Sequence, residues 1–196
     1  MTDDPRIPCG SAVLPAGSSA DKAALRKALL AARGALDPAR KAGWDASIVA
    51  RVLAWWRAHR MPALGVYWPL RGEPDLSAAY VELAQAGVQL ALPVVVARDA
   101  PLAFTAWTPG EPMLKDGMGV AVPASLRPVP RPPALLVPCL GFNAQGYRLG
   151  YGGGYYDRTL EEAPRPLTVG IAYAFSAAAF DSAPHDVALD KIITEA

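Results

Sequence analysis

With 196 residues, 52% of them hydrophobic, the chain is long enough to bury one good core and short for two independent domains. Its 19 basic and 18 acidic residues are spread along the sequence and leave a formal charge of +1, so no basic stripe points to nucleic acid. Neither a signal-peptide core nor an apolar run long enough to span a bilayer is present, so no membrane partner is expected.

The two cysteines, Cys9 and Cys139, lie far apart, which argues against a structural disulfide and for a reducing cytoplasm. Residues 1–19 are rich in Pro, Gly and Ser and read as a disordered leader, leaving 20–196 as a single domain. In chain order, Leu25, Ala28, Leu29, Ala32 and Leu36 recur at helical spacing over 21–36, after Ser18 and Ser19 as N-cap residues. Asp37 and Pro38 open a second helix whose buried side carries Trp44, Ile48, Val52, Trp55 and Trp56, and which ends before Pro62. Residues 63–68 read as a buried strand and 76–86 as a third helix closed by Gly87. Strands follow at 89–96, where Pro93 demands a bulge or an edge position, and at 102–107. The proline-rich stretch 109–133 reads as a surface connection. A fully apolar strand at 134–138, a helix at 154–160 and strands at 167–173 and 191–194 complete the chain. Strands alternating with helices predict a three-layer α/β domain, its mostly parallel sheet covered by helices on both faces.

The richest chemistry follows the strand at 134–138: Arg148-Leu149-Gly150-Tyr151-Gly152-Gly153-Gly154-Tyr155-Tyr156-Asp157-Arg158. Four glycines between a strand and a helix serve either a tight turn or an anion-binding nest of backbone N–H groups. Arg148 upstream, as a cation, and Asp157 downstream, as a hard oxygen ligand of the kind Mg²⁺ takes, favour the nest. No Gly-Lys-Ser or Gly-Lys-Thr occurs, which excludes a P-loop, and the glycine spacing excludes a dinucleotide fingerprint. Lys22 and Arg26 share one helix face, with Arg33 close to it, as a solvated basic face or a phosphate grip. Glu73 precedes a helix in a strand-to-helix loop, the kind of loop that binds ligands in open α/β sheets, or is a surface carboxylate; Asp75 reads as a helix N-cap. Trp68 and Trp107 are either core or stacking residues. Asp190 is a strand-end charge or a second Mg²⁺ ligand, and His59 and His185 lack the neighbours a zinc site requires.

Together, Lys22 with Arg26, the run Glu73-Pro74-Asp75-Leu76, the 148–158 motif, and Asp190 before Lys191-Ile192-Ile193-Thr194 resemble the 5-formyltetrahydrofolate cyclo-ligase family, also called methenyltetrahydrofolate synthetases. The resemblance runs from about Lys22 to the C-terminus. It implies an ATP-dependent ligase acting on a reduced folate, with Lys22 and Arg148 as catalytic cations. ATP would be held by Lys22, Arg26, Arg148, Gly150, Gly152, Gly153, Gly154 and Tyr155, and Mg²⁺ by Asp157 and Asp190. The folate would face Glu73, Trp107, Tyr155 and Tyr156. Some members carry a lysine in the loop where this chain has Gly153, which shifts phosphate neutralisation to Lys22, Arg26, Arg148 or the metal. The rival readings are an ATP-dependent enzyme of the same fold with another small substrate, and a non-catalytic folate or nucleotide binder. A monomer or small homo-oligomer is expected.

Overall fold

The computed structural model describes residues 19–196, so Cys9 and the expected leader up to residue 18 lie outside it. In chain order the helices and strands are α1 (Ser19–Gly34), α2 (Pro38–His59), β1 (Ala63–Gly65), α3 (Ser77–Gln85), β2 (Gln89–Val94), β3 (Ala103–Trp107), β4 (Met113–Lys115), β5 (Ala121–Pro123), β6 (Pro128–Val129), β7 (Ala134–Pro138), β8 (Gly141–Phe142), β9 (Arg148–Leu149), α4 (Tyr155–Glu161), β10 (Leu167–Ile171) and β11 (Lys191–Ile193).

Local chemistry explains most boundaries. Asp37 caps α2 by accepting from Arg40 N at 2.9 Å, with Pro38 in the first turn, and Arg60 closes the helix in a left-handed conformation. Gly87, at φ 85°, ends α3, and Val88 N returns to Leu83 O. Asp75 acts one residue earlier than expected: its Oδ1 accepts from Ser77 N and Oγ, while Leu76 occupies the cap position. The first strand is shorter than 63–68. Beyond Gly65 only Val66 N still reaches Ala91 O; Tyr80 Oη of α3 then donates to Tyr67 O at 2.9 Å, taking over where a sheet partner would otherwise be needed.

The main sheet has the order β11-β10-β7-β1-β2-β3-β6. The first five are mutually parallel, and β3 and β6 run antiparallel to their neighbours. Pro93 sits in unbroken register with Phe104 of β3, because β1, on the side where the missing N–H would matter, has ended at Gly65 opposite Ala91. The connection 109–133 holds more structure than expected: β4 and β5 form a hairpin in which Asp116 Oδ1 accepts from Met118 N and Val120 N, and β6 pairs with β3.

Alternation along the strands builds the core. Leu64, Leu90, Leu92, Leu136, Val169 and Ile171 pack with Ile48, Val52 and Trp56 of α2 and Leu76, Tyr80 and Leu83 around α3. Leu135 and Val137, pointing the other way from β7, join Ala91, Phe104 and Leu160 of α4. A third cluster, with Leu25 and Leu29 of α1 against Leu140, Leu149 and Phe180, fixes α1 beside the segment that follows β7. Among the described residues no helix is long and apolar enough to cross a membrane.

Gly170 is one of the close-packed points of this core. A Cβ there would lie 2.5 Å from Ile192 Cδ1, 2.7 Å from Leu189 Cδ1 and 3.0 Å from Cys139 Sγ. Gly170→Ala is therefore expected to destabilise the protein by about 1–3 kcal/mol in urea unfolding, the usual range for overpacking a core. An unchanged midpoint would mean that the β10–β11 side of the core is looser than described.

Candidate functional site

The loop that leaves β7 and enters α4 lies beyond the C-terminal ends of the parallel strands, where open α/β sheets bind ligands. It folds back on itself through β8 and β9, which pair Gly141 with Leu149 and Phe142 with Arg148. Gly152 and Gly154 adopt positive φ, 99° and 65°, which the chirality of other residues disfavours, and Gly154 forms the entry to α4.

Lys22, Arg26 and Arg33 recur at spacings of four and seven on α1 and so share one face, from which Arg26 and Arg33 reach this loop. Lys22 Nζ meets Asp186 Oδ2 at 3.0 Å, both side chains being largely buried. Burial pushes the Asp186 carboxyl upward, but the Ala183 N–H and Lys22 outweigh it and hold the group below its ordinary value. Lys22, Arg26, Asp181, His185 and Asp186 line a pocket of about 310 Å³. Arg26 Nε donates to Gly150 O at 2.9 Å, holding the first glycine against the helix.

Arg33 is only 3% exposed. Its Nη2 donates to Cys139 O at 2.9 Å, at the end of β7, and its Nη1 donates to Tyr151 Oη at 2.9 Å. Tyr151 Oη in turn donates to Glu73 Oε1 at 2.7 Å, and Glu73 Oε2 accepts from Leu70 N at 2.8 Å. Glu73 is 2% exposed. Burial raises its carboxyl above the ordinary value; the bonds from Tyr151 and Leu70 and the charges of Arg33 and Arg71 restrain that rise. Of the two alternatives for Glu73, the surface carboxylate is ruled out: it is a buried acid tied to the glycine loop.

Arg148 is committed to a partner rather than standing free above the loop. Its Nη2 lies 2.8 Å from Asp157 Oδ2, its guanidinium sits 5.1 Å from the Tyr156 ring centroid, and its Nε is buried without a hydrogen-bond partner. Tyr156 belongs to the core cluster with Leu160, and the Tyr155 ring lies under Arg158 at 5.2 Å. Gly153 is held close to Tyr155, since a Cβ there would come within 2.9 Å of that ring.

The fold thus gathers Lys22, Arg26, Glu73, Arg148, the 150–154 glycines, Tyr155, Tyr156 and Asp157 at one end of the sheet. Two expected members stand elsewhere. Asp190 Oδ2 accepts from Thr168 N and Oγ1 at the start of β10, with Arg165 on Oδ1, at the opposite end of the parallel strands from the loop, so its assignment beside Asp157 is corrected. Trp107 is a core residue, edge-on to Trp68 and Tyr80 and 7% exposed, because β3 turns it onto the α2–α3 face. Conversely, sequence reasoning gave no role to Asp186 or Tyr151 and placed Arg33 only beside the basic face of Lys22 and Arg26. Arg33 carried a signal, its heptad spacing from Arg26; Asp186 and Tyr151 are placed by long-range contacts that no local pattern encodes.

Among the described residues no group of three or more His, Cys, Asp or Glu side chains is arranged to hold a metal. That donor set still suits Mg²⁺, which keeps several waters and takes one or two carboxylates together with substrate phosphates. The carboxylates nearest the cations of this site are Asp157, paired with Arg148, and Asp186, paired with Lys22.

Comparison with known proteins supplies the remaining information. A "5-formyltetrahydrofolate cyclo-ligase" of Mycoplasma pneumoniae is 31% identical over 177 residues, covering 89% of this chain and 99% of its own. The Escherichia coli K12 protein of the same name is 26% identical, covering 83% of this chain and 93% of its own. The solved structure of a 5,10-methenyltetrahydrofolate synthetase from Mycoplasma pneumoniae superposes with a TM-score of 0.77 at 28% identity, covering 90% of this chain and 99% of that one. The corresponding Aquifex aeolicus structure also reaches 0.77, at 26% identity and 89% coverage of both chains. Residues 18–195 match the profile of one family, and with the fold and the glycine-loop geometry in agreement, the chain belongs to the 5-formyltetrahydrofolate cyclo-ligase family.

Proposed function

We propose that this protein uses ATP to close 5-formyltetrahydrofolate into 5,10-methenyltetrahydrofolate, releasing ADP and phosphate. The observation that carries the reading is the position of the glycine loop, bound on one side by Arg26 through Gly150 O and on the other by Glu73 through Tyr151. A basic helix face suited to phosphates and a buried carboxylate suited to the amino and ring N–H groups of a pterin thus meet across one loop.

A formamide on N5 is a poor electrophile, and its oxygen is a poor leaving group. Transfer of the γ-phosphoryl to that oxygen makes it a good one; N10 then attacks the activated carbon, and phosphate departs as the methenyl bridge forms. No side-chain nucleophile is needed, so the protein's task is alignment and charge stabilisation. Lys22 and Arg26 would grip phosphate oxygens, and the backbone N–H groups of 150–154 would line the nest. Arg148 would act from beneath the loop, since its ion pair orients Asp157. Asp157 and Asp186 would hold Mg²⁺, whose contribution there would be neutralisation of the charge that builds up during transfer. Tyr155 and Tyr156 would border the folate. The buried Cys139 thiol, pushed up to about 12 by desolvation, is a packing residue and supports a reducing, cytoplasmic setting.

Three measurements test the reading. Purified protein should form the methenyl product, followed by its absorbance, only when 5-formyltetrahydrofolate, ATP and Mg²⁺ are all present; turnover without ATP would refute the phosphoryl-transfer route. Gly153→Val should raise KM for ATP by roughly an order of magnitude while the folate KM stays put, because a branched side chain pushes the Tyr155 ring and spoils the nest. Unchanged ATP kinetics in a folded variant would remove the loop from the phosphate site. Glu73→Gln should lower kcat/KM for the folate by roughly tenfold or more, as expected when a desolvated charged contact is lost, and leave calorimetric ATP–Mg²⁺ binding intact. Loss of ATP binding instead would put Glu73 on the nucleotide side.

A further inference from the structure

Resting on the reading just given, we infer that Tyr151 is a positioning residue for folate recognition: its hydroxyl, held by Arg33, aims the Glu73 carboxylate at the substrate. The geometry is a linear relay from Arg33 Nη1 to Tyr151 Oη and on to Glu73 Oε1, at 2.9 and 2.7 Å. Each end is buried, at 3% and 2% exposure, whereas Tyr151 itself reaches the surface at 39%. A tyrosine exposed over so much of its area yet engaged at its hydroxyl by two buried groups is poorly explained by core packing. Its ring lies against Arg71, 5.4 Å from the guanidinium, so loop 69–75 and the glycine loop meet on this one side chain.

The hydroxyl is poised to do two things. It fixes one carboxylate oxygen, as Leu70 N fixes the other, so Glu73 cannot rotate and its remaining lone pairs keep a set direction. It also favours the ionised form of an acid that burial pushes towards neutrality. The other charged and titratable groups that face Glu73 are Arg33 of α1 and Arg71 of its own loop, which favour ionisation, and Tyr67, Tyr80 of α3, Cys139 and Tyr156, all neutral with their ionisations pushed upward. Among the described residues, Tyr151 is thus the one neutral side chain that hydrogen-bonds to the carboxylate.

The test is Tyr151→Phe, which keeps the ring and its contact with Arg71, read by steady-state kinetics at a temperature where circular dichroism shows the variant folded. KM for 5-formyltetrahydrofolate should rise about five- to tenfold, kcat and KM for ATP should change less than about twofold, and the acid limb of kcat/KM should move to higher pH. The sign follows from losing a donor: without it the Glu73 carboxyl rises further, so the ionised acid disappears sooner as pH falls. In a Glu73→Gln background the same substitution should add almost nothing. Unchanged folate KM and acid limb in Tyr151→Phe, with the native protein active, would overturn the inference while leaving the proposed function standing. A rise in the ATP KM alone would overturn it too, assigning the hydroxyl to the glycine loop. Inactivity of the native protein towards 5-formyltetrahydrofolate would instead bring down the reading beneath it.

Discussion

The site depends on a buried guanidinium. Burying a positive charge is expensive unless it is hydrogen-bonded, and Arg33 is held by the carbonyl at the end of β7 and the phenol of Tyr151, Glu73 lying one bond further on. One residue of α1 thereby joins the C-terminal end of β7, the glycine loop and the loop after β1. The apolar cluster of Leu25 and Leu29 with Leu140, Leu149 and Phe180 brings α1 close, and the Arg33 bonds fix where it lies. That anchor and the Arg26–Gly150 bond together set where α1 lies relative to the glycines.

The remaining charges are arranged in pairs around the same loop. Lys22 faces Asp186, and Arg148 faces Asp157. Each pair holds a cation beside a carboxylate; on the proposed function, a nucleotide carrying its metal would engage both members without leaving a desolvated charge unmatched. The absence of a loop lysine at Gly153 fits this arrangement: the glycines supply backbone donors, and the cations come from α1 and from beneath.

How far the sequence anticipated this is uneven for physical reasons. Amphipathic spacing and capping chemistry located α1, α2 and α3 well, since Asp37, Pro38 and Gly87 act through bonds within a few residues. The apolar run of β7 was equally legible. The hairpin of β4 and β5 was hidden because its order comes from Asp116 capping a turn inside a proline-rich segment that shows no periodicity. At the site, the glycine motif and the basic face were readable as local patterns. Asp190 and Trp107 were misjudged because strand direction decides which end or face a residue occupies, and Asp186 was overlooked because only the tertiary fold brings it to Lys22.

On the proposed function, this geometry serves to move a phosphoryl group onto a formyl oxygen. The most direct measurement is the fate of that oxygen. With 5-formyltetrahydrofolate labelled with ¹⁸O in the formyl group, turnover by this protein should deliver the label into inorganic phosphate, one labelled oxygen per methenyl product. Label recovered in water, with unlabelled phosphate, would mean that ATP is hydrolysed without activating the formyl group, and would contradict the account.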